Sequence, residues 1–115
     1  MSRTAAGDVL AQIIPIVDDL ERALNHLPEM MWGDPWVAGV LMIGDRLQEM
    51  LEQQHVERIV PQGEPFDPRL HEAVSRVQTS EVPEDTITNV LLPGYILNGR
   101  VLRAAQVQVA VRKES

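Results

Sequence analysis

Along the first quarter of the chain the apolar residues Val9, Ile13, Ile16, Val17, Leu20, Leu24 and Leu27 recur at steps of three and four, the spacing that keeps one face of an α-helix apolar. Asp18, Asp19, Glu21 and Arg22 fall on the other face. The pattern predicts a helix over about residues 5–27. Pro15 lies inside it, where it removes one backbone hydrogen bond and crowds the preceding turn, so a bend rather than a stop is expected. Residues 26–35, with Pro28, Gly33 and Pro35, read as a break. Asp34 followed by Pro35 then supplies an N-cap and a first-turn proline for a second helix reaching about Gln54.

In that second helix Trp36, Val40, Ile43, Leu47, Met50 and Leu51 form a stripe, while Asp45, Arg46, Glu49 and Glu52 face away. A two-helix hairpin has too little facing surface for a stable core, so the expected closure is a second copy and a dimeric four-helix bundle. Ile13, Val17, Leu20, Leu24, Val40 and Leu47 are the expected dimer-interface residues. Trp32 and Trp36 are expected to be structural, since a Trp on an apolar helix face is usually core. Gly39 and Gly44 each cost about 1 kcal/mol relative to alanine in a helix, an amount expected to be offset by close helix approach.

After His55 the texture changes to short runs rich in Val, Ile and Thr, punctuated by Pro, Gly and Asn. Strands are predicted over residues 56–60, 73–79, 86–92, 95–97 and 101–111. Asn98-Gly99, between Tyr95-Ile96-Leu97 and Arg100-Val101-Leu102, is the strongest short-range hairpin signal, since both turn positions need positive φ. Val107, Val109 and Val111 alternate with polar neighbours, as in a half-buried strand. Asp67-Pro68 is expected to cap a single helical turn over residues 69–72. The fold class is therefore α+β: a helical dimerisation region over residues 1–55 and a small all-β domain over residues 56–115.

Composition narrows the function. Ten Lys and Arg stand against seventeen Asp and Glu, a net charge of -7, which argues against a nonspecific grip on nucleic-acid phosphates. Residues 1–57 hold ten acids and three bases, residues 58–115 seven of each. The segment from Arg100 to Lys113 carries Arg100, Arg103, Arg112 and Lys113 with no acid among them, a local reversal that suits either an acidic partner or ordinary solvated strand positions. With no cysteine there is no disulfide, thiolate nucleophile or Cys-ligated metal. No stretch approaches the ~20 continuous apolar residues of a membrane span, and the start lacks the blocks of a signal peptide. A cytoplasmic protein is expected.

Catalytic and cofactor chemistry finds no purchase. The one close cluster of metal-type ligands is Asp67, His71 and Glu72, but position 75, where a zincin helix would carry its second His, is Ser75. Capping and turn-stabilising roles are the expected account of Asp67 and His71. No nucleophile elbow surrounds Ser75 or Ser80. Gly39 and Gly44 have the glycine spacing of a phosphate loop, yet Asp45 and Arg46 follow, so no nucleotide site is expected.

Three segments in order resemble one family. Ile14-Pro15-Ile16-Val17-Asp18-Asp19-Leu20-Glu21-Arg22-Ala23-Leu24 is similar to the LPVLDNLERAL segment of GrpE, the nucleotide exchange factor of DnaK-type chaperones. Gly63-Glu64-Pro65-Phe66-Asp67-Pro68 with His71-Glu72-Ala73-Val74, and Gly94 through Ala105, resemble that family's later motifs, the second containing Asn98-Gly99-Arg100. The resemblance spans roughly residues 5–112.

The resemblance implies paired helices in a dimeric bundle, followed by a small β-domain that binds the ADP-bound ATPase domain of the chaperone and opens its cleft. It implies a homodimer with a DnaK-type partner, no bond chemistry, no metal and no cofactor. Carried over by position, the chaperone contacts would be Arg100, Leu91 in the strand before Pro93-Gly94, and Val109 in the last strand. Relatives carry a disordered arm and a longer paired helix before the matching segment, so the exchange module is expected here without the functions of that longer helix. A helical-dimer adaptor with a different protein client is the alternative on the same scaffold.

Overall fold

The computed structural model describes residues 5–112. Its order is α1 (Ala5–Asn25), a 3-10 turn (Glu29–Met31), α2 (Pro35–Gln53) and six strands: β1 (Val56–Ile59), β2 (His71–Gln78), β3 (Ile87–Leu92), β4 (Gly94–Leu97), β5 (Arg100–Arg103) and β6 (Ala105–Val111). The chain forms two compact units, Met1–Val56 and Glu57–Ser115. The fold is α+β, with two helices followed by strands in two sheets.

In the helical unit α1 runs unbroken through Pro15. Its buried residues are Gly7, Leu10, Ile14 and Val17, a three-and-four line displaced around the helix from the predicted stripe. Val9 and Ile16 of that stripe are exposed instead. α2 begins as its sequence requires: the Asp34 carboxylate accepts a hydrogen bond from the Trp36 N–H at 2.8 Å, and Pro35 occupies the first turn. It ends where His55 takes a left-handed conformation at φ 66°. Gln48 Nε2 donates to Glu21 Oε2 at 3.0 Å, tying the two helices together.

Two expectations for this unit are corrected. Within the single chain Trp32 and Trp36 are not core residues: they are 69% and 73% exposed, and the buried residues of α2 are Val37 and Leu51. Close helix approach does not account for the glycines either. A Cβ on Gly39 would meet nothing within 4 Å, and one on Gly44 would meet Leu20 and Leu24 at an ordinary 3.8 Å.

The β unit holds two three-stranded sheets, ordered β1-β4-β5 and β2-β6-β3. β6 is central in the second, parallel to β2 (His71 opposite Ala105 through Gln78 opposite Val111) and antiparallel to β3. Alternation along β6 buries Ala105, Val107 and Val109, which cluster with Ile87 against Ile59, Phe66 and Val90. On the other face Gln108 links the strands, its Oε1 accepting from the Thr88 hydroxyl at 2.9 Å and its Nε2 donating to Ser75 Oγ at 3.3 Å.

The run read as one strand over residues 101–111 is two. The ladder breaks at Ala104, and the halves join different sheets. The chain crosses between the sheets three times, and the two short crossings sit together, Pro93-Gly94 leading from β3 to β4 and Ala104 from β5 to β6. Their approach is so close that a Cβ on Gly94 would lie 2.7 Å from the Ala105 backbone nitrogen and 2.8 Å from Ile59 Cγ1. The helical turn expected over residues 69–72 is shorter, since β2 already begins at His71.

Candidate functional site

The β4–β5 hairpin carries an exposed charged group at its tip. Leu97 pairs with Arg100 across a two-residue turn, and Asn98 (φ 49°) and Gly99 (φ 85°) both take the left-handed conformation that such a turn demands. Asn tolerates it through its short polar side chain and Gly through lacking a Cβ. Arg100 is exposed on the first residue after the turn, so its guanidinium is carried by a hydrogen-bonded ladder rather than a loop.

Behind the turn the ladder is irregular. Ile96 pairs with Val101 and Tyr95 with Arg103, leaving Leu102 as the bulged residue. Tyr95 is fully buried. Arg103 donates twice to the Pro93 carbonyl, from Nη2 at 2.6 Å and Nε at 3.2 Å, and its guanidinium carbon lies 5.5 Å from the Tyr95 ring centroid. Arg112 is likewise engaged, its Nη1 donating to the carbonyls of Thr79 at 2.9 Å and Val82 at 3.0 Å. The basic run is thus divided: Arg103 and Arg112 hold backbone carbonyls, and Lys113 lies outside the described residues.

Of the other residues carried over as contacts, Leu91 lies on β3 and is 48% exposed, an apolar side chain open to a partner. Val109 lies on β6 and is 6% exposed, inside the core cluster. Its side chain therefore offers a partner almost no surface and acts by packing β6 against β3. Among the expected interface positions of the helical unit, Ile13, Leu20, Leu24, Val40 and Leu47 are half-buried, while Val17 is fully buried within the chain.

The Asp67–His71 pair proves to be a turn. The Asp67 N–H donates to His71 Nδ1 at 2.9 Å, and the His71 N–H returns to the Asp67 carbonyl at 2.8 Å. That contact places the proton of the neutral ring on Nε2. The Asp67 carboxylate accepts from the Arg69 N–H at 2.9 Å and from its Nε and Nη2 at 3.2 and 2.9 Å. The side-chain bonds from Arg69, and then its backbone N–H, hold the Asp67 carboxyl below its ordinary range. His71 also borders a cleft of about 300 Å³ with Glu57, Ile59, Glu64 and Leu70. Among the described residues no group of three or more His, Cys, Asp or Glu is placed to hold a metal ion, and no helix is long and apolar enough to cross a membrane.

The Asn-Gly signal located the turn, and Arg100 was singled out beside it by the family resemblance; the structure places it exposed next to that turn. Sequence reasoning placed Arg103 only in the basic run, open to an acidic partner or to solvent, whereas its partner is a backbone carbonyl that composition cannot reveal. The bulge that turns Arg103 toward Pro93 has no signature in the Arg100–Ala105 string.

Comparison with known proteins agrees with this architecture. The GrpE family model matches residues 1–111. Protein GrpE of Thermotoga maritima is 44% identical over 104 residues, covering 90% of this chain and 58% of the relative. Protein GrpE of Francisella philomiragia is 37% identical over 98 residues, covering 85% and 51%. The chain spans about half the length of the curated relatives it matches. With two helices, two small sheets and a hairpin bearing Asn98-Gly99-Arg100, the chain belongs to the GrpE family.

Proposed function

We propose that the chain is the exchange module of a DnaK-type co-chaperone, which binds the chaperone's ATPase domain and opens its cleft to release ADP. The observation that carries this reading is the exposed Arg100 on a rigid hairpin in a chain of the GrpE family. A guanidinium held there can donate a fork of hydrogen bonds to a carboxylate or carbonyl without first ordering a loop. Leu91 adds an apolar footing, and Val109 supports it from within the core.

The activity is a population shift rather than bond chemistry. Only the difference in affinity for open and closed conformers moves the equilibrium. Inverting a 1:99 mixture to 99:1 takes about 5.5 kcal/mol of that difference. A rigid contact suits the task, since a compliant one would follow the cleft in both states.

The helical unit supports the proposed dimer through what it leaves uncovered. Ile16 and Ile43 are 64% and 54% exposed, and Val9 and Trp36 extend the two apolar lines. A second copy would cover both in a four-helix bundle.

The test is to load a DnaK ATPase domain with fluorescent ADP, add excess unlabelled nucleotide, and follow release against the concentration of this protein. Saturable acceleration is expected. Release at the spontaneous rate in the presence of folded, dimeric protein would refute the reading.

A further inference from the structure

We infer that Arg103 is a positioning residue for the exchange contact, the pin that fixes the Arg100 hairpin relative to Leu91 by joining the two short crossings between the sheets. The inference rests on the proposed exchange function and goes beyond it, since the function requires only that Arg100 be exposed.

The geometry is specific. Arg100 belongs to the β1-β4-β5 sheet and Leu91 to the β2-β6-β3 sheet. Two short crossings, at Pro93-Gly94 and at Ala104, join these sheets in the chain. Any rotation of one sheet against the other would move Arg100 relative to Leu91. Arg103 ends β5 immediately before one crossing and donates two hydrogen bonds, at 2.6 and 3.2 Å, to the carbonyl of Pro93 within the other. Both bonds converge on that one oxygen, so the planar guanidinium holds the carbonyl with two fixed donors and resists its separation from the end of β5 more than one donor would.

The bulge at Leu102 makes the grip possible. On β4, Tyr95 and Leu97 lie two residues apart and so share a face, and their register partners are Arg103 and Arg100. Regular pairing would have put residues three apart on opposite faces; the extra residue returns Arg103 to the side of Arg100. The buried Tyr95 ring, 5.5 Å from the guanidinium carbon, gives that side chain a fixed floor.

The experiment is an exchange titration with wild type, Arg103→Lys, Arg100→Ala and the double variant. Lys keeps the charge and the aliphatic stem but cannot form the fork. Displacing a contact group by about 1 Å can cost up to about a hundredfold, so Arg103→Lys is expected to raise the half-saturating concentration about tenfold in the wild-type background. With Arg100 already truncated there is little left to position, and the same change should cost less than about twofold, the non-additivity of residues acting through one contact. An unchanged half-saturating concentration, or the same tenfold loss in both backgrounds, would overturn the inference while leaving the exchange function standing. Loss of β-sheet circular dichroism in Arg103→Lys would also overturn it, marking Arg103 as a general stabiliser. Absence of exchange by the wild type would remove the function and the inference together.

Discussion

Replacing Gly94 by alanine and Gly44 by alanine adds the same methyl group to one chain with opposite expected results. At Gly94 the new Cβ would stand 2.7 Å from the Ala105 nitrogen and 2.8 Å from Ile59 Cγ1, about 1 Å inside a comfortable contact of roughly 3.5–4.0 Å. The first neighbour cannot give way cheaply, because it is backbone and its N–H donates to the Leu70 carbonyl at 3.1 Å. Overpacking of this kind costs about 1–3 kcal/mol, and the entropic gain from losing a glycine returns only about 0.4–1 kcal/mol. A net loss of about 1 kcal/mol should lower the melting temperature of so small a unit by about 4–8 °C. At Gly44 the methyl would meet Leu20 and Leu24 at 3.8 Å, so the helix gains about 0.5–1 kcal/mol with no clash. Amide hydrogen exchange of β6 reports the first variant, and that of α1 and α2 reports the second. A Gly94→Ala chain as stable as wild type would refute the close crossing on which the placement of the hairpin depends.

Four further outcomes are expected. Arg100→Ala should raise the half-saturating concentration for exchange about 10–100-fold, equivalent to about 1.4–2.8 kcal/mol, with circular dichroism unchanged. His71→Phe keeps an aromatic ring near Phe66, whose centroid lies 5.9 Å from that of His71, but strands the Asp67 N–H, so thermal denaturation should show a loss of about 1–3 kcal/mol. The Asp67 carboxyl should titrate below its ordinary value of 3.8 and rise toward it in Arg69→Ala, because the Arg69 side-chain bonds are the largest cause of the shift. Its folded pKa being the lower one, its contribution to stability is present above the ordinary value and lost as pH falls through the folded value, so wild type and Asp67→Asn should converge in stability on acidification. Ile43→Asp should give a monomer mass by light scattering at a concentration where wild type gives a dimer.

The helices and the hairpin were legible in the sequence because their signals are local. A three-and-four period, an Asp-Pro start and an Asn-Gly turn each act over a few residues, and α1, α2 and the β4–β5 turn stand within two residues of the expected positions. What the sequence concealed is decided by neighbours distant along the chain. Ala104 looks like any residue in a Val-rich run, and only the close approach of Gly94 to Ala105 shows why the strand must change sheets there. Which side of α1 is buried is equally nonlocal: Leu10, Ile14 and Val17 are as apolar as Val9, Ile13 and Ile16, and packing alone distinguishes them. The turn beside Arg100 was legible locally, while a contact role for Arg100 came only from the family resemblance. The burial of Val109 was implicit in the alternation of β6.

The most direct measurement is the rate of ADP release from a DnaK-type ATPase domain, taken at limiting concentrations of wild type and Arg100→Ala under identical conditions. Saturable acceleration by the wild type is expected, with a half-saturating concentration at least about tenfold higher for the variant, each tenfold corresponding to about 1.4 kcal/mol. Equal acceleration by the two proteins would contradict the claim that the hairpin guanidinium makes the contact that opens the cleft.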